Sequence, residues 1–278
     1  MTLAGSSGAG AKARVNAGVN GGGNACAACA GAITLIRAAQ LVASPWKNGG
    51  GVTREVAAHP ADAGLDTFVW RVSVADVAQA GPFSRFAGID RTLVLLAGAG
   101  MLLDEVQSDN AVTTHALTQP LDIVRFAGEA RIDARLVEGA TRDFNLMVRR
   151  GFAEGELEVW HGAQQQGQQK TRHEAQQQAQ QPGRTLSADV ALLYCASGAP
   201  TVALGDAAAH AEACHEAHVE ACHEAHAQAP AASPAPADTQ VHALQAGDTL
   251  RIDAPNALSC TIEGAGTLLA ISIRYTQR

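Results

Sequence analysis

The sequence predicts an all-β protein built as two β-rich lobes. Three observations predict it. Short apolar runs, several with a two-residue alternation, recur along the chain between Gly, Pro, Asp and Asn. No amphipathic helix of useful length interrupts them in the first half. A glutamine-rich stretch, 163–184, then separates one β-rich block, 32–162, from a second, 185–278.

Residues 1–31 are rich in Gly, Ala, Ser and Asn, lack periodicity and read as a disordered tail. Strand character starts at Ile33. Phe68, Trp70, Val72 and Val74 share one strand face, and Arg71 and Ser73 project from the other. Arg91–Leu96 turns apolar on both faces, as in a sandwiched strand, and ends at Gly98-Ala99-Gly100. Strands at 101–105, 122–126 and 132–137 follow. In 144–149, Phe144, Leu146 and Val148 oppose Asn145, Met147 and Arg149. Many short strands with regular turns predict a sandwich or small barrel.

The 163–184 stretch reads as an expanded linker. Strands resume at 185–195 and, after a low-complexity insert at 205–240, at 247–252 and 266–273. Leu269, Ile271, Ile273 and Tyr275 share a face of the last one. Gly128-Glu129 and Gly247-Asp248 each precede a strand, a weak internal echo that fits a duplicated sandwich.

Charged residues make up 17% of the 278, and the formal net charge is −7. Such a field does not attract phosphate backbones or anionic lipid, so neither nucleic acid nor membrane is expected as a partner. No apolar run reaches the roughly 18–20 residues that span a bilayer. The N-terminus lacks the plan of a secretory signal, and the expected compartment is the cytoplasm. Cys195 and Cys260 sit in apolar runs and read as buried small hydrophobes. Cys26 and Cys29 have CxxC spacing without a βαβ context and read as incidental.

Two further groups bear on metal and cofactor chemistry. In the repeat at 212–227, Cys214, His218, Cys222 and His226 follow at i,i+4. Adjacent pairs suit Zn²⁺, but on one straight helix the outer pair would lie about 18 Å apart. The repeat therefore reads as a tandem expansion, and no metal is expected. No nucleophile elbow, phosphate loop or dinucleotide fingerprint is present, and no cofactor is expected.

PWKNGGGVTREV at 45–56, WRVSVADVAQAGPFSRFAGIDRTLVLLAGAG at 70–100 and DFNLMVRR at 143–150 together resemble the HutD/Ves family. LQAGDTLRI and GTLLAISI resemble its C-terminal half more loosely. The resemblance implies a bicupin-like double β-sandwich or barrel, two cupin-like lobes, with the tail and the low-complexity inserts outside the pattern. It also implies a part in histidine utilisation, as a regulator or small-ligand sensor. A cupin usually carries a His-x-His metal motif. The corresponding segment here, Phe86–Leu93, has none, and His59 and His115 are isolated.

The residues suited to chemistry lie in the first block. Gly49-Gly50-Gly51 suits a place where backbone must take positive φ or approach another group closely. Lys47 supplies a point charge, Asn48 a donor–acceptor pair, and Thr53 and Glu55 polar groups on alternate positions. Together they predict one wall of an anion-accepting pocket. The plainer alternative is a tight loop with Trp46 on the core and Lys47 in water.

Arg71, Arg91 and Arg149, with Asn145 beside Arg149, supply guanidinium groups suited to carboxylates. An arginine pointing into the sandwich needs an anion, from a ligand or from a protein carboxylate. The alternative is an exposed face or an ion pair with Asp76, Asp90 or Asp143. The predicted ligand contacts are therefore Lys47, Asn48, Thr53, Glu55, Arg71, Arg91, Asn145 and Arg149, with a small anionic metabolite as partner and no catalytic residue assigned.

One rival is a metal-independent enzyme with Lys47 as proton shuttle and Glu55 as its base partner. Another is a structural protein that docks a partner at a sheet edge. Oligomeric state leaves no mark in the sequence.

Overall fold

The computed structural model describes residues 31–162, 184–206 and 239–276. The 1–30 segment with Cys26 and Cys29, most of the glutamine-rich stretch and the Cys/His repeat lie outside the described residues. Among those described, the one helical element is a 3-10 turn at Ala38–Gln40. No helix there is long and apolar enough to cross a membrane.

Strands are numbered in chain order and every pairing is antiparallel. The first lobe holds a six-stranded sheet ordered β2 (Ala43–Pro45), β3 (Gly51–His59), β4 (Trp70–Val77), β11 (Thr141–Arg149), β6 (Ile89–Ala97) and β9 (Ile123–Ala127). It faces a four-stranded sheet ordered β5 (Gly81–Pro82), β10 (Arg131–Leu136), β7 (Met101–Val106) and β8 (Val112–Leu117). The second lobe holds a five-stranded sheet ordered β1 (Ile33–Ile36), β17 (Thr249–Asp253), β14 (Val190–Gly198), β19 (Gly266–Tyr275) and β12 (Ala153–His161). Its partner sheet runs β13 (Arg184–Leu186), β18 (Leu258–Glu263), β15 (Thr201–Asp206) and β16 (Gln240–Ala243).

The two lobes repeat one topology at an offset of eight strands. The order β5-β10-β7-β8 recurs as β13-β18-β15-β16, and β4-β11-β6-β9 recurs as β12-β19-β14-β17. The repetition reaches single hydrogen bonds. Leu95 N–H donates to Asp122 O at 3.0 Å, and Cys195 N–H to Asp248 O at 2.8 Å. Both lobes also carry a register shift just beyond these residues, at Arg142/Asp143 and at Cys195/Ser197. The true echo is thus Leu121-Asp122 with Gly247-Asp248. Gly128-Glu129 leads into β10, whereas Gly247-Asp248 leads into β17, the counterpart of β9.

Four sheets make four layers with three cores. The middle core joins the lobes. Trp70, Val72, Val74, Phe144, Leu146 and Val148 of the six-stranded sheet meet Val190, Leu192, Tyr194, Leu269, Ile271 and Ile273 of the five-stranded one. These are alternate residues, as period 2 requires. Burying each large apolar side chain stabilises by roughly 1.5–3 kcal/mol, so the lobes hold together as one unit. A second core fills the first sandwich around Leu93, Leu95, Met101, Leu103 and Ile132. A third fills the second around Ala191, Leu193, Leu250, Leu268 and Cys260. Cys195 and Cys260 are buried free thiols, held at about 11 and about 12 by burial.

The sheets depart from the predicted organisation in four places. β1 and β12, expected with the first block, hydrogen-bond to β17 and β19 in the second lobe. The glutamine-rich stretch therefore lies between β12 and β13, both second-lobe strands, and the chain crosses between lobes at the β11–β12 turn. The expected strand at 185–195 is two strands in opposite sheets, β13 and β14, separated at Ser187 to Asp189. Lastly, Phe68 leaves the face of Trp70: it precedes β4 and packs with Ile89 and Met147.

Candidate functional site

Alternation on β4, β11 and β6 sends one set of side chains into the interlobe core and the other into the first sandwich. Cross-strand pairing aligns the inward set. Arg71 and Arg91 flank Met147, Ser73 and Leu93 flank Asn145, and Ala75 and Leu95 flank Asp143. On β3, Glu55 pairs with Ser73 and Thr53 with Ala75. A register shift follows at Glu55/Ala57, beside this group.

Arg91 is the centre of the group, with 7% of its surface exposed. Three rings surround its guanidinium, with centroids 5.3 Å (Phe83), 5.7 Å (Phe86) and 5.0 Å (Phe126) away. Among the described residues its one polar contact is a long 3.4 Å hydrogen bond from Nη1 to Ser84 O, and its buried Nε has no partner. Burial pulls Arg91 down to about 10; the Asp143 charge opposes that shift and the Arg71 charge adds to it.

Asp143 is 2% exposed, and its Oδ2 has no hydrogen-bond partner. Burial pushes its carboxyl up to about 7, against the pull of Arg91 and with a small push from Asp76. Asn145, 7% exposed, has an equally unpartnered Oδ1. At the edge of the group, Arg71 Nε donates to Glu55 at 2.8 Å and its Nη1 to Ser73 Oγ at 3.3 Å. Glu55 is exposed and borders an open groove between the lobes, lined also by Thr34, Ile36, Ala58 and Arg251.

The predicted ligand residues divide. Glu55, Arg71, Arg91 and Asn145 come together, and Thr53 lies one cross-strand pair away. Its hydroxyl accepts from Trp46 Nε1 at 2.7 Å. Lys47 and Asn48 do not join them. Their loop meets β4 at Val77, while Arg71 is six residues along the strand, about 20 Å away. Asn48 Oδ1 accepts from Gly50 N at 3.0 Å, and Lys47 is exposed. The glycines serve that turn: Gly49 has φ +71°, and a Cβ on Gly51 would meet Asp76 O at 2.6 Å. Arg149 is occupied by backbone, donating to Phe68 O and Asp66 O at 2.8 Å each.

The alternative ion pairs also divide. Asp76 takes Arg54 and Arg142, and Asp90 takes Arg150. Arg71 takes Glu55, and among the described residues no carboxylate lies within ion-pair distance of Arg91. Asp143 belongs to the group, although the sequence offered it only as an ion-pair partner. Its parity with Asn145 along 143–149 was the available signal.

The HutD family model matches residues 38–270 of the chain. The chain belongs to the HutD family. An uncharacterised 21.2 kDa protein in the hutC 3′ region of Pseudomonas putida is 41% identical over 131 residues, 47% of this chain and 65% of that protein. Protein Ves of Citrobacter koseri is 36% identical over 115 residues, 41% of this chain and 56% of that protein. The matched stretch thus spans less than two thirds of either relative. Among solved structures, a conserved Pseudomonas aeruginosa protein of unknown function superposes with TM-score 0.63 at 24% identity, covering 88% of this chain and all of that one (100%). HutD from Pseudomonas fluorescens SBW25, in a formate condition, gives TM-score 0.60 at 25% identity, covering 88% and 99%. The fold is the bicupin-like double sandwich of this HutD family, and the candidate site occupies its first lobe.

Proposed function

We propose that this HutD-family protein binds a small metabolite through its carboxylate and, by doing so, regulates histidine utilisation. One observation carries the reading: among the described residues, Arg91 is a buried guanidinium with no carboxylate within ion-pair distance and an unpartnered Nε. A desolvated cation of this kind is costly unless an anion completes it. Arg71 stands two strands away on the same inward face, so one planar carboxylate has two cationic donors to draw on. The pocket proposed is Arg71, Ser73, Arg91, Asp143 and Asn145, with Glu55 at the open groove. The link to histidine utilisation draws support from the Pseudomonas putida relative in the hutC 3′ region.

Thermal-shift measurements against urocanate, formiminoglutamate, formylglutamate, glutamate and formate test this, with product analysis of each mixture. The expected result is a Tm rise of the wild-type protein with at least one of them, lost in Arg91→Ala, and no new product. Turnover would move the protein to the enzyme class. No Tm rise with any carboxylate would remove the reading.

A further inference from the structure

We infer that Asp143 serves the anion site in its protonated form, so that on the alkaline side of neutrality filling the site takes up a proton from solvent. The inference rests on the carboxylate-binding reading above and concerns how that site is regulated.

Three features of Asp143 support it. It sits between Ala75 and Leu95, which pack with Met101, Leu103, Ile132 and Ala134 in the apolar interior of the first sandwich. Among the described residues it makes no ion pair within 4 Å, and its Oδ2 is buried without a hydrogen-bond partner. Finally, a carboxyl there is no requirement of the fold. The counterpart position in the second lobe, paired with Cys195 as Asp143 pairs with Leu95, is the fully buried Leu268.

The local charges give the direction. From β4, Arg71 faces the site, already neutralised by Glu55 of β3. From β6 comes Arg91, unpaired. On the facing sheet the inward titratable pair is Glu105 and His115, bonded to each other at 2.9 Å. Asp76 adds negative charge from the outer face of β4, held by Arg54 and Arg142. With Asp143 ionised, Arg91 has one negative neighbour before any ligand arrives. An incoming carboxylate then places two anions against one unpaired cation in a low-dielectric space. A proton on Oδ2 removes the surplus charge and turns an unpartnered acceptor into a donor.

Asp143 already titrates near neutrality in the free protein, at about 7. Affinity for a carboxylate should therefore be level below about pH 7 and fall towards tenfold per pH unit above it.

The test uses formate as probe, a carboxylate that stays charged throughout. Its affinity for the full chain is taken from formate-dependent Tm shifts between about pH 6 and about pH 9. The wild type should lose affinity towards tenfold per unit on the alkaline side. Asp143→Asn, isosteric with the protonated form, should still bind formate and show a flat profile. His115→Gln should keep the wild-type slope. A flat wild-type profile, or an Asp143→Asn slope equal to the wild type's, overturns the proton linkage and leaves carboxylate binding standing. A slope lost in His115→Gln also overturns it. No formate stabilisation at any pH overturns the linkage and the binding reading together.

Discussion

The interiors of the two sandwiches occupy the same lattice and hold opposite chemistry. Matching strand by strand, Arg91 corresponds to Ala191, Asp143 to Leu268, Asn145 to Ala270, and Phe126 to Ile252. The matching positions of the second lobe are apolar: Ala191, Leu193, Leu250 and Leu268 are fully buried among one another. The first lobe keeps the same backbone and the same register shift yet buries a cation, a carboxyl and an amide with unpartnered atoms. The duplicated strand order does not call for these groups, since its other copy folds without them. Polar groups that cost stability in one copy and are absent from the matching positions of the other are what the proposed carboxylate site would need.

Placing a first-lobe group into the second should break the fold. Leu268→Asp buries a carboxyl in an apolar cluster, and a loss above about 4 kcal/mol in urea unfolding is expected. A loss below about 1 kcal/mol would mean that these positions are not a closed apolar cluster, and the contrast would fail.

The reverse exchange should spare the fold and remove the function. Arg91→Ala gives the first lobe the second lobe's residue. Carboxylate affinity should drop by about 2–3 kcal/mol, roughly thirty- to 160-fold, the worth of a charge-assisted hydrogen bond. Unliganded Tm should hold or rise, because a buried cation without a carboxylate is removed. A large fall in Tm would show Arg91 to be a structural residue.

Asp143→Asn sharpens the contrast through pH. The folded protein keeps the Asp143 proton up to about 7, while the unfolded carboxyl releases it near 3.8. Wild-type stability from this group therefore falls as pH rises through that window. Asparagine removes the dependence, so the variant's Tm should exceed wild type by several degrees near pH 8, and the gap should close near pH 4. An equal gap at both pH values would assign Asp143 an ordinary pKa. The smallest effect belongs to Lys47→Ala, within about 0.5 kcal/mol and without change in carboxylate affinity. A loss of affinity would bring its loop into the site.

Much of this was legible in residues with period 2. The alternation in β4 and β11 separated Arg71, Ser73 and Asn145 from Trp70, Val72, Phe144 and Leu146. What alternation does not say is which face turns into the sandwich and which into the other lobe, because both are buried. The PWKNGGG segment misled for a related reason. Its glycines do meet the expected need, positive φ at Gly49 and a close pass of Gly51 by Asp76 O and the Trp46 ring, but the need is that of the turn and not of a ligand. The Thr185–Cys195 run hid a sheet change, since its apolar character continues through the turn. Pairing between β1 and β17 was invisible because nothing local in Ile33–Ile36 names a partner more than two hundred positions away.

That last pairing has a consequence for synthesis. Ile33–Ile36 emerges early from the ribosome and Thr249–Asp253 late, yet they close one ladder. At roughly 5–20 residues per second the interval is on the order of 10–40 s. The first lobe can close its own sandwich in that time, but the far side of its large sheet, with Trp70, Val72, Phe144 and Leu146, has nothing to cover it until the second lobe is made. For those seconds the nascent protein carries an oily sheet and an unclaimed strand, and that is when a chaperone has most to do.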